Sequence, residues 1–163
     1  MKNIHQLLLL LLLLLLFTSN AYCQDISYIK TLDTIFVNFK QSQSQIKTVL
    51  PENSKGFQRW YIIYFEENKK KEYLQFWVSE YPDYVRREMN IKSDVKVVKK
   101  SYLRKNKKKI ISIDFFKKYG IYRSMYEAFE KCKVIYIIDN SEINNRQITL
   151  YEVTKSSSYV IGE

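Results

Sequence analysis

The chain has 163 residues, 46% of them hydrophobic and 15% aromatic, with 27 basic residues against 17 acidic ones for a formal net charge of +10. Two prolines and three glycines exclude a linker array or a disordered tail, and the apolar content is ample for one packed domain. The one histidine, His5, lies in a segment read below as removed, so the mature chain is expected to lack any Ser-His-Asp triad, Cys-His pair or His-containing metal site.

Residues 1–6 carry one positive charge, Lys2, and are followed by ten consecutive leucines and Phe17. Thr18, Ser19, Asn20 and Ala21 come next. A basic start, an apolar stretch and a small-residue exit make the layout of a secretory signal peptide. The apolar stretch is far shorter than the ~20 residues a membrane-spanning helix needs. The sequence therefore predicts a leader over residues 1–21, cleaved after Ala21 or after Cys23, with lipid attachment at Cys23 as a third option. A single domain of residues 24–163 follows, with no transmembrane span. Removal of residues 1–23 takes away Lys2 and no acid, which leaves a charge one lower, +9. Cleavage after Ala21 leaves Cys23 and Cys132 as a candidate disulfide outside the cytoplasm. Cleavage after Cys23 leaves Cys132 as a small buried hydrophobe without a histidine base.

Residues 25–32 have Ile26, Ile29 and Leu32 at near-helical spacing and predict a short helix. Residues 34–40 (TIFVNFK) predict a strand, with a helix over 26–39 as the competing reading. Residues 41–45 read as a turn or exposed edge, and 51–56 (PENSKG) as a loop. Residues 58–65 (QRWYIIYF) and 72–79 (EYLQFWVS) predict a β-hairpin joined by a polar turn over 66–71. The first of its strands is apolar on both faces and therefore central. Pro82 suits the first position of a short helix reaching Met89.

Residues 95–98 predict a short strand, Ser101 a cap for a turn through Lys107, and Ile110, Ile111 and Ile113 another extended piece. Asp114 is the expected cap for residues 115–119, and Gly120 stands where a left-handed residue ends a helix. Ser124 and Glu127 have capping-box spacing for a helix to Lys131. Residues 133–138 (KVIYII) and 147–153 (QITLYEV) predict a second hairpin, and the serine-rich tail from Thr154 is expected to fray. Hairpins joined by polar turns predict an α+β fold: a mostly antiparallel sheet of about five strands with short helices packed on one face.

Nine basic residues and one acid, Asp94, fall between Lys92 and Lys109. Lys99, Lys100, Arg104, Lys105, Lys107, Lys108 and Lys109 are the candidate polyanion-binding residues, since such a cluster raises the local potential. The bland alternative is a solvated face. Lysines outnumber arginines 21 to 6, and with Ile, Asn and Tyr they share AT-rich codons, so nucleotide composition accounts for part of the count. Only Tyr102 is interleaved with the basic residues, which argues against nucleic acid as the partner. Aromatic residues crowd the first hairpin and its exit, and Tyr73, Trp77 and Tyr81 are the candidate partner-binding aromatics. Core and rim packing is the alternative.

Glu66 and Glu67 read as turn residues. Asp114, Glu127 and Glu130 read as caps and helix-surface charges, and Glu80 and Asp83 as residues that could line a groove. The stretch from Asp139 to Glu142 is oxygen-rich but lacks the glycine and spaced carboxylates of a calcium loop. The isolated glycines form no phosphate-cradling loop. No catalytic residue, cofactor or metal is predicted.

The leucine-rich leader, DTIFVNF at residues 33–39, SYLRKNKKKIISIDFFKKYG at 101–120, and KVIYIID with QITLYEV at 133–153 resemble a group of small exported bacterial proteins of unassigned function. The likeness covers most of residues 33–153. It implies export and a shared fold, and carries no catalytic residue and no ligand. Together these readings describe an exported, non-enzymatic domain of the periplasm or cell envelope that associates with anionic material through its basic middle segment. A protein-binding module of inhibitor or immunity type, using the aromatic hairpin against another exported protein, is the alternative. A hydrolase using carboxylates alone ranks third.

Overall fold

A computed structural model describes residues 24–52, 56–67, 70–90, 94–144 and 146–161. The expected leader and Cys23 lie outside the described residues. Strand β1 (Thr34–Phe39) forms where its alternation places it. Ile35, Val37 and Phe39 point to one side and Phe36 to the other, and all four are buried. A strand covered on both faces suits parallel pairing. Accordingly β1 runs parallel to both the two-residue β6 (Ile110–Ile111) and β7 (Val134–Asp139). Strand β8 (Gln147–Glu152) returns antiparallel to β7, and β5 (Val95–Lys99) pairs antiparallel with β8. The sheet order is β5-β8-β7-β1-β6.

The fold is α+β, with nine strands among the described residues in two mostly antiparallel sheets. The second sheet grows around the predicted hairpin, β3 (Gly56–Glu67) and β4 (Lys70–Glu80), whose strands run closer to the turn than expected. On one side β2 (Gln45–Glu52) joins β3, and on the other β9 (Thr154–Ile161) joins β4. Both additions correct the sequence reading. Residues 51, 52 and 56 are strand rather than loop, with 53–55 outside the described residues. Pro51 is tolerated because β2 is an edge strand, where a missing N–H costs no ladder bond. The tail does not fray at Thr154, since the free edge of β4 offers it a ladder that needs no apolar side chains.

Chain continuity joins the sheets. Only Val153 separates β8 from β9, and its N–H donates to Ile135 O at 2.9 Å. The sheets meet directly where Phe39 packs edge-on to Tyr61, with centroids 4.9 Å apart, and where Tyr61 meets Tyr151. Elsewhere helical segments fill the core between them. Helix α1 (Ile26–Ile29), capped by Asp25, contributes Ile26 and Ile29. Helix α2 (Asp83–Glu88) follows Pro82 and buries Val85. Helix α3 (Lys100–Lys105) lies on the far face of the five-stranded sheet, where Tyr102 and Leu103 cover Phe36, Val98, Ile138, Ile148 and Leu150. Helix α4 (Ile113–Arg123) supplies Phe115, Phe116 and Ile121 to the main core.

Three capping expectations are corrected. Ser101 lies inside α3, whose cap position is Lys99 and has no side-chain bond. Ser112, rather than Asp114, caps α4, its Oγ accepting from Asp114 N. Ser124 is no cap: it is the first residue of a π-helical turn, Ser124–Ala128, whose cap position is Arg123 and which stops short of Lys131. Its hydroxyl donates to Gly120 O at 2.6 Å. Glu127 is held instead by Arg123 at 2.8 Å.

Gly120 has the left-handed backbone its position predicts, with φ 75° and ψ 164°, and kinks α4. No heavy atom lies within 4 Å of where its Cβ would stand. Gly120→Ala is thus expected to cost about 1–3 kcal/mol through backbone strain alone. Urea unfolding checks this, and an unchanged midpoint would show that the kink tolerates a side chain.

Candidate binding surfaces

The basic segment folds onto the outer layer of the molecule. Lys96 lies on the same face of β5 as Val98, its Nζ 5.2 Å from the Tyr102 ring centre. Lys99 ends β5 and Lys100, Arg104 and Lys105 belong to α3. Lys107, Lys108 and Lys109 form a short 3-10 turn before β6. Lys99, Arg104, Lys105, Lys107 and Lys108 are exposed and Lys100 and Lys109 half-exposed. The two apolar residues of α3, Tyr102 and Leu103, turn inward, which forces its cationic residues outward. Among the described residues none of these basic side chains forms an ion pair.

The aromatic hairpin presents the opposite chemistry. Burial of Tyr61, Ile63, Leu74, Phe76 and Val78 fixes which face of β3 and β4 is internal. Strand alternation then sends Gln58, Trp60, Ile62 and Tyr64 outward on β3, with Tyr73, Gln75, Trp77 and Ser79 outward on β4. Trp60 sits directly opposite Trp77 and Tyr64 opposite Tyr73. The tryptophan rings stack at 6.0 Å and the tyrosine rings meet at 5.1 Å. All four are half-exposed. Tyr81, just past β4, lays its ring against Gly56, whose Cβ would come within 2.8 Å of it. Trp60 Nε1 donates to Gln58 Oε1 at 3.1 Å. Tyr64 donates its hydroxyl to Glu66 at 2.5 Å, and that bond pushes the phenol up to about 12.

A third cluster was not legible in the sequence. Lys47 on β2 donates to Asp139 Oδ2 at 2.7 Å, to Ser141 Oγ at 3.0 Å and to Glu142 Oε1 at 3.3 Å. Arg59 on β3 donates to Glu80 of β4 and to Glu142 Oε1. Its guanidinium lies 4.7 Å over the Tyr151 ring. Tyr61 donates to Asp139 and Tyr151 to Glu142. Burial raises the Tyr61 and Tyr151 phenols well above their ordinary value. Burial opposes the charge on Arg59, but its bond to Glu80 and the nearby tyrosines and Glu80 outweigh it and hold the guanidinium protonated. This network ties the two sheets together.

Its chemistry bears on three sequence readings. Glu80 faces Arg59, while Asp83 pairs with Arg86, so each acid has its own cationic partner. Asp139 and Glu142 turn toward Lys47 and Arg59, so cations of the protein already occupy that oxygen-rich turn. Asp139 is kept ionised, which unsuits it as a proton donor in carboxylate-only hydrolysis. Elsewhere, Cys132 is partly buried and, among the described residues, forms no disulfide; its Sγ donates to Val134 O at 3.1 Å. Burial raises its pKa, which makes it a poor nucleophile near neutrality.

No family model matches the chain, and neither curated proteins nor solved structures give a match. Among the described residues no helix is long and apolar enough to cross a membrane.

Proposed function

We propose that this chain is an exported, non-enzymatic domain that associates with anionic material of the cell envelope through the surface of β5, α3 and the 107–109 turn. One observation carries the reading. Lys99, Lys100, Arg104, Lys105, Lys107, Lys108 and Lys109 gather on one layer, and none of them is paired with a described acid. A surface that serves solubility alone intersperses both signs. A one-sign surface instead concentrates polyanions, and lysine ammonium groups engage phosphate or carboxylate as point charges. Export is proposed on the leader sequence.

The test is retention on heparin and on vesicles of anionic phospholipid, at low and at high salt. Retention at low salt should fall at least tenfold at high salt. The variant carrying Lys105→Gln, Lys107→Gln, Lys108→Gln and Lys109→Gln should lose most of it while unfolding at the same urea concentration as the parent. Heparin alone retaining the protein identifies an acidic polysaccharide, and vesicles alone a lipid surface. Binding to neither, or binding indifferent to salt and to the four substitutions, would overturn the reading. The intact mass of protein recovered from the host envelope tests export. It is expected to show cleavage after Ala21 or Cys23.

A further inference from the structure

The outer face of the hairpin is organised in rungs. Reading across β3 and β4, the rows are Gly56 with Tyr81, Gln58 with Ser79, Trp60 with Trp77, Ile62 with Gln75, and Tyr64 with Tyr73. Aromatic rows therefore alternate with rows that carry an amide or a hydroxyl. Along β4 and just past its end the aromatic residues recur every four positions, Tyr73, Trp77 and Tyr81. At the rise of an extended strand this places successive aromatic rungs ~13 Å apart. Only the last row, Glu66 with Lys71, is charged. Arg59, Glu72 and Glu80 alternate to the other side of the same strands, where Arg59 and Glu80 are drawn into the network with Glu142 and Glu72 accepts from Ile121 N. A chain of net charge +10 thus keeps formal charge off the five rows from Gly56 with Tyr81 to Tyr64 with Tyr73. Beside the central rung the neighbouring strands place uncharged residues, Thr48 opposite Trp60 and Thr154 opposite Trp77, while Glu52 stands opposite Gly56 at the end of the face.

We infer that this face binds an uncharged glycan chain. Such a polymer offers apolar C–H faces to aromatic rings and hydroxyls to side-chain amides, the two chemistries that alternate here. It repeats along its length, as the rungs do. Lack of charge on the five rows gives neither an anionic polymer nor an acidic protein any electrostatic attraction. Trp60 and Trp77 form the central rung, and Tyr73 and Tyr81 the flanking ones. Gln75 and Gln58 supply the amides between them. The surface is separate from the basic layer, which lies on the other side of the five-stranded sheet.

The experiment is affinity electrophoresis and tryptophan emission with full-length mature protein against a panel of neutral glycans: β-1,4-glucan, β-1,3-glucan, chitin oligomers, mannan and xylan. At least one is expected to retard the protein and shift its emission, with little change between low and high salt. Trp77→Ala and Tyr73→Ala should each weaken that binding tenfold or more. Gln75→Ala should weaken it several-fold, and Trp77→Phe less than Trp77→Ala. The four-lysine variant should bind the glycan like the parent, so loss of polyanion binding and loss of glycan binding are read separately. No response to any glycan in the panel would overturn the inference. So would a response that Trp77→Ala leaves unchanged, or one abolished by salt. A protein partner lost on Trp77→Ala, with the panel silent, would reassign the face to protein recognition.

Discussion

Asp139→Ala is expected to lower the free energy of unfolding by about 3 kcal/mol, the low end for removing one partner of a buried ion pair. Asp139 is 2% exposed and Lys47 17%. The carboxylate accepts from Lys47 Nζ, from Tyr61 OH at 3.3 Å, and from the Ser141 N–H and hydroxyl at 2.9 and 2.6 Å. Truncation strips all four donors of their acceptor at once. Glu142 still lies within 3.3 Å of Lys47, which keeps the loss from being larger. Replacing both charges, Lys47→Met with Asp139→Leu, should bring stability closer to the parent than Asp139→Ala does. No lysine is then left buried without its strongest partner.

The same residue sets an acid limb. Burial alone would raise the Asp139 pKa, but the bonds from Lys47 and Ser141 outweigh it and hold the carboxyl below its ordinary value. The unfolded chain therefore binds the proton more readily than the folded one. The stabilisation is complete above the ordinary carboxylate value of about 4 and drains as the pH falls through the folded value. Asp139→Asn, which has no proton to gain, should flatten that limb. Urea midpoints at pH 7 and across the acid range measure both effects. A parent-like midpoint for Asp139→Ala, or an unaltered acid slope for Asp139→Asn, would remove the network from the list of forces holding the sheets together.

Phe129→Ala should be as damaging, at about 3–5 kcal/mol. Phe129 is fully buried. Its ring lies 6.2 Å from Phe76 on β4 and 6.1 Å from Phe116 on α4. It therefore closes the core between the hairpin and the helical segment. Phe129→Leu keeps much of the volume and should cost less than half as much. The Phe129 carbonyl accepts from Lys155 Nζ at 2.5 Å, and that main-chain bond survives either substitution. The loss therefore reports ring packing together with the ring's contact with the Lys155 ammonium, 5.5 Å from its centre. It is read as a fall in the urea midpoint with the slope unchanged, and a midpoint within experimental error of the parent would show that neighbouring rings refill the space.

Side-chain periodicity made much of this fold readable. Ile35, Val37 and Phe39 alternate as a strand facing a core, and Leu74, Phe76 and Val78 do the same on β4. The aromatic residues of the hairpin were legible too, since Tyr73 and Trp77 fall on the opposite parity from those buried positions. Capping was less legible. Ser112, Asp114 and Ser124 are all competent cap residues, and only the path of the chain chose among them. The interface network left little local signal beyond the oxygen-rich turn from Asp139 to Glu142. Lys47, Arg59 and Glu80 lie on three different strands away from that turn, and each looks by itself like an ordinary surface charge.

By itself, then, the sequence determined the α+β class, the two hairpins, the left-handed glycine at position 120 and the crowding of basic residues before β6. These follow from forces that act between near neighbours: the pleat of a strand, the steric freedom of glycine, the density of like charge. Tertiary structure decided that residues 45–52 and 154–161 complete a second sheet, that the lysines of α3 face away from the hairpin, and that charges from four segments, Lys47, Arg59, Glu80 and the turn of Asp139 and Glu142, meet between the sheets. Main-chain ladders and ion pairs depend on which segments come together in space. A strand such as β9 is recruited by the open edge of β4, and little in its own side chains announces it.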